Sequence, residues 1–303
     1  MKGMPVSRLG TEATASLQIL AAGVLWGLVG PLVKLMEWAG ADAGTMAFVR
    51  MGMAFAIMGA ITLAKFGPAA FRLTKRELAA VIVLGVVSNG LYNVVYGLAI
   101  QNSGITVSAV LLNSAPVFTV IASVIVFREG VGAKKVLALA INILGCCLAA
   151  THGQLDLSSL SALGILCGIA SAFTYGIAAV ITRVSGPGTN TYVMSTYSYL
   201  FAALTCGVLF QPWTSRSITN PEVLGWGFLL ALIPTSLAYL IYYKGVLKMR
   251  ETSKVPVFAS VEMIATAILS AIFFGEVINA ATLLGIALVI LSIGIMSFGS
   301  QKK

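Results

Sequence analysis

The feature that most constrains this chain is a succession of apolar runs, each close to 20 residues long. A helix rising about 1.5 Å per residue over such a run spans a hydrocarbon core of about 30 Å. Backbone amides and carbonyls must be satisfied internally there, so only helices and closed barrels cross. The runs lack the alternating apolar and polar pattern of barrel strands, which leaves helices. Composition agrees: 58% of the 303 residues are hydrophobic and 10% are charged, whereas soluble domains carry roughly 25% charged residues. The fold class is an all-α polytopic membrane protein in a lipid bilayer.

Ten transmembrane helices are expected, over residues 16–36, 45–66, 78–99, 104–127, 135–152, 160–183, 190–211, 223–246, 254–274 and 280–298. A net charge of +9 would suit a nucleic-acid surface, but position decides otherwise. With a cytoplasmic N-terminus, 16 of the 19 Lys and Arg residues fall in cytoplasmic segments; Lys34, Arg50 and Arg216 fall on the other side. Positive residues beside spans set orientation, so both termini are expected in the cytoplasm and no nucleic-acid partner is implied. The polar N-terminus leads into the first span without an A-x-A-like cleavage site, so no removable signal peptide is expected.

Cys146, Cys147, Cys167 and Cys206 all lie within spans, where free cysteines act as small buried hydrophobes. With His152 the only histidine, no zinc site of the usual spacing can be drawn, and neither metal nor cofactor is expected. No G-x-x-x-x-G-K-[ST] loop occurs, so direct use of ATP is not expected.

The chain is written twice. "LWGLVGPLVKLM" (25–36) matches "TYGIAAVITRVS" (174–185) at an offset of 149, pairing Trp26-Gly27 with Tyr175-Gly176 and Lys34 with Arg183. "YNVVYGLAI" (92–100) matches "YLIYYKGVL" (239–247) at an offset of 147. The second register carries Phe127-Arg128-Glu129 onto Phe274-Gly275-Glu276. Ten spans divide as five plus five, 1–152 and 153–303, forming one integrated transport unit. Five is odd, so the second half enters from the opposite side of the membrane. Inverted repeats of this kind are typical of secondary transporters, whose substrate sites lie between the halves near the midplane.

These residues resemble the drug/metabolite transporter superfamily, specifically its EamA-type members. The resemblance rests on the Trp26-Gly27…Pro31 opening, Arg50 in the second span, Glu129 and Glu276 before the last span of each half, and the "GIALVILSIGIM" ending at 285–296. It extends over residues 16 to 298 and implies export of amino acids or other small metabolites without ATP. Within that family the chain looks most like the YddG-type exporters of aromatic amino acids. The second half departs locally, since Pro116 of "NSAPVF" aligns with Met263.

The candidate substrate cavity is drawn from polar and aromatic residues inside spans. In span 3, Asn89, Tyr92, Asn93 and Tyr96 recur at spacings of three and four, which places them on one helix face. In span 8, Ser236, Tyr239 and Tyr243 repeat that stripe. Exposing amides and phenols to lipid is unfavourable, so these faces turn to protein or water. Trp26, Tyr175 and Tyr197 add aromatic walls, and Asn113 and Ser114 stand beside Pro116, which removes a backbone donor and opens a kink. The competing reading of the same residues is interhelical hydrogen bonding and an interfacial aromatic belt.

Arg50 either attracts a substrate carboxylate, as a possible gate or carboxylate contact, or snorkels to the headgroups; Lys34, at a span end, fits the second role better. Gly23 with Gly27, and Gly164 with Gly168, form G-x-x-x-G faces for close helix packing. Glu262 is the one acid within "VPVFASVEMIATAILSAIFF" (255–274). Low dielectric disfavours its charged form, so it is protonated, paired with a base, or faces a wet cavity. An acid there binds a substrate ammonium or carries a coupling proton, unless it is a neutral hydrogen-bonded carboxyl between helices.

The function expected is a secondary transporter of small organic solutes working by alternating access in a bacterial-type inner membrane, as a monomer or a homodimer. A channel-like facilitator is the alternative within transport. An intramembrane enzyme would have to build its dyad on His152 without a G-x-S-x-G elbow, and a non-transporting scaffold would carry no flux.

Overall fold

The computed structural model describes residues 6–154, 161–186 and 188–298. Lys2, Lys302 and Lys303, three of the expected cytoplasmic bases, lie outside the described residues. Among the described residues the chain is helical without strands, and nine helices are long and apolar enough to cross a membrane.

Several crossings are built from two shorter helices. α1 (Val6–Trp26) and α2 (Val29–Trp38) meet at Gly27-Leu28, where Leu28 N–H turns back to the Leu25 carbonyl. α3 (Ala43–Phe66) follows, its N-cap Asp42 accepting from the Thr45 backbone at 2.8 Å and satisfying an orphan donor of the first turn. α4 (Lys75–Val83) opens on a Thr74–Glu77 capping box. It runs through a π-helical segment, Leu84–Leu91, into α5 (Tyr92–Leu112).

The expected span 104–127 is not one continuous helix. Gly104 adopts φ 76°, ψ 164°, a backbone open to glycine, and joins two helical stretches within α5. A second interruption at Asn113-Ser114 leaves α6 (Ala115–Phe127) as a shorter apolar helix. α7 (Ala133–Thr151) ends the first half of the chain, and α8 (Ala162–Gly176) and α9 (Ala178–Ser185) meet at Ile177. α10 (Thr191–Phe210) leads to α11 (Pro221–Leu230), a π-helical segment Ala231–Leu237, and α12 (Ala238–Lys248). α13 (Val255–Ala259) and α14 (Val261–Phe274) meet at Ser260, and α15 (Ala280–Phe298) closes the order.

Proline explains the second π-helical segment. Pro234 has no N–H for the Leu230 carbonyl, and the Thr235 hydroxyl takes its place, donating to Leu230 O at 2.8 Å. The wider turn accommodates that substitution of side chain for backbone.

Small residues decide which helices touch. A Cβ added at Gly27 would stand 2.4 Å from Ala265 Cβ, and one at Gly176 would stand 2.5 Å from the Ala115 carbonyl oxygen. α1 therefore lies directly on α14, and α8 on the start of α6. α7 packs on α15 through Gly145 and Gly285 in the same way. Ile19 of α1, Met194 of α10, and Tyr243 and Val246 of α12 are among the fully buried side chains of the core. The outward faces remain apolar: Leu17, Ile125 and Ile272 are more than 60% exposed, as lipid-facing side chains must be.

Candidate functional site

The helix interruptions converge on one cavity of about 160 Å³. Its wall takes Trp26 and Val29 from the α1–α2 break, Asn113 from the α5–α6 break, Tyr175 and Gly176 from the α8–α9 break, and Ser260 and Glu262 from the α13–α14 break. Irregular backbone at membrane depth is tolerated where it borders such a space. Each break puts helix-end amides and carbonyls beside polar side chains, a pattern suited to charged groups on a ligand.

Two aromatic groups contribute to the wall. Trp26 meets Tyr239 and Tyr242 with ring centroids 4.9 Å away in each case. Tyr92 meets Tyr175 at 5.4 Å and stacks on Tyr96 at 5.8 Å. Trp26, Tyr92, Tyr175, Tyr239 and Tyr242 all border the cavity. The buried Trp26 Nε1 has no hydrogen-bond partner among the described residues.

Arg50 and Glu262 bring one base and one acid to the same wall, and no ion pair joins them among the described residues. Arg50 is held from α11–α12: its Nε donates to Thr235 Oγ1 at 2.8 Å, and Tyr199 Oη fixes the same residue by donating to the Thr235 carbonyl at 3.0 Å. The absent amide of Pro234 leaves the Leu230 carbonyl to the Thr235 hydroxyl, and with its hydrogen committed there the hydroxyl oxygen accepts from Arg50, so the proline helps to orient the guanidinium. Glu262 sits in the first turn of α14, where the helix dipole favours a carboxylate.

Of the residues expected from sequence, Trp26, Arg50, Tyr92, Asn113, Tyr175, Tyr239 and Glu262 border the cavity. Tyr96 stands behind Tyr92, and Asn93 donates back to the Asn89 carbonyl in its own helix. Asn89 and Ser236 are buried away from the cavity wall, and Tyr243 is buried behind Tyr239 at 5.6 Å between rings. Tyr197 donates its hydroxyl to the Phe71 carbonyl at 3.1 Å, tying α10 to the loop before α4. Lys34 pairs with Glu276 at 2.8 Å.

Asn142, Thr119 and Tyr242 are among the wall residues that were not singled out from sequence. Asn142 of α7 donates to Ser260 Oγ at 2.6 Å and to Ser292 Oγ at 2.9 Å, bracing the α13–α14 break. Thr119 donates to the Gly176 carbonyl at 2.6 Å, bracing the α8–α9 break. Tyr242 completes the Trp26 cluster. Asn142 is a lone amide in an apolar span, the same signal that marked Glu262. Among the described residues no group of three or more His, Cys, Asp or Glu could hold a metal.

The EamA-like transporter family model matches the chain twice, over residues 13–151 and 162–298. Similar proteins include the uncharacterized inner membrane transporter YicL of Salmonella typhimurium, 24% identical over 97% of this chain and 99% of its own length. An uncharacterized transporter of Archaeoglobus fulgidus is 24% identical over 90% of this chain and 92% of its own. A solved crystal structure superposes with a TM-score of 0.76 at 16% identity, covering 95% of this chain and 98% of that one, which is a likeness of fold. With nearly all of its length matched by that model in two copies, the chain belongs to the EamA-like transporter family.

Proposed function

We propose that this protein is a secondary transporter that exports neutral or aromatic amino acids and related small metabolites by alternating access, without ATP. Its ten spans form two inverted five-helix repeats, 1–152 and 153–303, with both termini in the cytoplasm of a bacterial cell and the chain in the inner membrane. The Salmonella relative's name, an inner membrane transporter, supports that location.

The repeat reading is supported by where the helices deform. The π-helical segments begin at Leu84 and Ala231, and two of the breaks fall at Asn113 and Ser260; each pair is separated by 147 residues. Distortions recurring at one offset fit duplicated units better than independent irregularities.

The observation that carries the substrate reading is the pairing of Arg50 and Glu262 on one aromatic-walled cavity. An α-amino acid presents a carboxylate and an ammonium a few ångströms apart. Arg50 takes the carboxylate, Glu262 takes the ammonium, and the Trp26 and Tyr92 clusters flank the side chain. A multiply charged phosphate ester would instead call for clustered bases.

Competition in proteoliposomes tests this. Unlabelled phenylalanine should block labelled phenylalanine flux, whereas phenylalaninamide and 3-phenylpropionate, each lacking one charge, should compete at least about ten-fold more weakly. Equal competition by all three would exclude two-charge recognition.

A further inference from the structure

Two ion pairs lie at opposite ends of the span Thr252–Phe274. At one end Lys34 Nζ donates to Glu276 at 2.8 Å and stands 4.3 Å from the centroid of Phe274. At the other, Arg183 donates to Glu129, and its guanidinium carbon stands 4.3 Å from the centroid of Phe127. Lys34 and Arg183 are 149 residues apart, and Phe127 with Glu129 precedes Phe274 with Glu276 by 147. The two clusters are thus the same base–acid–aromatic arrangement made twice, each taking its base from one repeat and its acid and ring from the other.

Their completeness differs. Glu129 also accepts the backbone N–H of Thr252 at 2.7 Å and of Ser253 at 3.0 Å, and the Ser253 hydroxyl at 2.6 Å. Arg183 donates in addition to Thr252 Oγ1 at 2.8 Å. These contacts pull the end of α6 onto the turn that begins the other half's broken span, and Thr252 and Ser253 are fully buried beneath them. Glu276 pairs with Lys34 and its side chain is 41% exposed, against 6% for Glu129.

The residues 147 before Thr252 and Ser253 are Ile105 and Thr106. Ile105 is 69% exposed, and Thr106 carries a hydroxyl where Ser253 carries one. They begin a helical stretch directly after Gly104, whose φ of 76° already bends the chain there. The acceptor, the hydroxyl and the hinge that the closed cluster would need are all present on this side, but apart.

We propose that the two clusters are the gates of the transport cycle: the Arg183–Glu129 cluster closes the cytoplasmic side in this structure, while the Lys34–Glu276 cluster is open and closes when Glu276 accepts from Ile105 N–H and the Thr106 hydroxyl. The assignment of sides rests on the transporter reading above. Because each cluster stabilises one arrangement, weakening one moves the population toward the other.

The test is thiol accessibility of the cavity. Ala259 borders it, so Ala259→Cys, in a chain whose Cys146, Cys147, Cys167 and Cys206 are replaced by Ala, reports access for a membrane-impermeant maleimide. In oriented membrane vesicles the parent should react from the external face. Glu129→Gln should raise the cytoplasmic rate at least about ten-fold and lower the external one. Adding Thr106→Val to Glu129→Gln should return the cytoplasmic rate toward that of the parent. Ser253→Ala, which removes the hydroxyl that donates to Glu129 and accepts from Lys135, carries the same expectation as Glu129→Gln in smaller degree and serves if that variant does not fold. A cytoplasmic rate unchanged by Glu129→Gln or, in its stead, by Ser253→Ala overturns the cytoplasmic gate. A double-variant rate unaffected by Thr106→Val overturns the external one. The readout needs no substrate: flux with unchanged labelling would sink the gates, and the expected labelling without flux would sink the amino-acid reading.

Discussion

Arg50 donates its Nε hydrogen to Thr235 Oγ1 at 2.8 Å, which anchors the one base on the cavity wall among the described residues to the helix distorted by Pro234. No other hydrogen bond engages the guanidinium among the described residues, which leaves its remaining donors available. Hydrogen bonds to charged groups are each worth about 1.5–3 kcal/mol. Arg50→Lys, which lacks the planar fork, should raise the KM for a carboxylate substrate by about ten-fold or more, and Thr235→Val should do so more weakly by loosening Arg50. Flux at varied substrate concentration checks both. An unchanged KM in Arg50→Lys would remove Arg50 from binding.

Glu262 tests coupling separately from binding. If its carboxyl carries a proton through the cycle, Glu262→Gln should abolish pH-driven accumulation or extrusion while leaving a folded protein. Counterflow at equal pH on both sides should survive in part. Retention of the unsubstituted protein's pH dependence would rule out the coupling role.

Gly27 and Gly176 bring the broken helices together. Gly27→Ala would set a Cβ 2.4 Å from Ala265 Cβ, and Gly176→Ala would set one 2.5 Å from a backbone oxygen. Overpacking of this kind costs about 1–3 kcal/mol. Both variants should lower thermal stability in detergent and slow flux, whereas Gly97→Ala, whose Cβ would meet nothing within 4 Å, should do neither.

Asp42 caps α3 at the end of the loop after α2. Burial pushes its carboxyl up, and hydrogen bonds from Ser215 and Thr45 outweigh this and hold it below the ordinary value of 3.8. A group whose folded value is depressed contributes stability above its unfolded value and loses it as pH falls through the folded one. Asp42→Ala should therefore cost about 1 kcal/mol at neutral pH, and the difference from the parent should shrink as pH falls below 3.8. A constant difference across that range would mean that the charge contributes nothing.

How much of this was legible in the sequence depends on the helix in question. The recurrence of an aromatic, a glycine and a base at Trp26-Gly27 and Tyr175-Gly176 was readable, but the breaks there were not, because 16–36 and 160–183 read as continuous apolar spans. The tyrosine stripes were readable only in part. Tyr92 and Tyr239 reach the cavity, but Asn89 and Ser236 lie within the π-helical segments. There i→i+5 turns shift the face that a 3.6-residue period assigns. The same shift brings Tyr242, rather than the expected Tyr243, to the cavity wall. Thr235 was not legible at all, since its role depends on the amide that Pro234 lacks and on a base from another span.

The most direct measurement of the central claim is counterflow in proteoliposomes with labelled tryptophan, phenylalanine, leucine and glutamate. The account predicts saturable exchange, accelerated by unlabelled solute on the opposite side, for the aromatic and neutral amino acids and not for glutamate. No exchange of any of the four by folded protein would contradict the amino-acid reading, and flux without trans-stimulation would contradict alternating access.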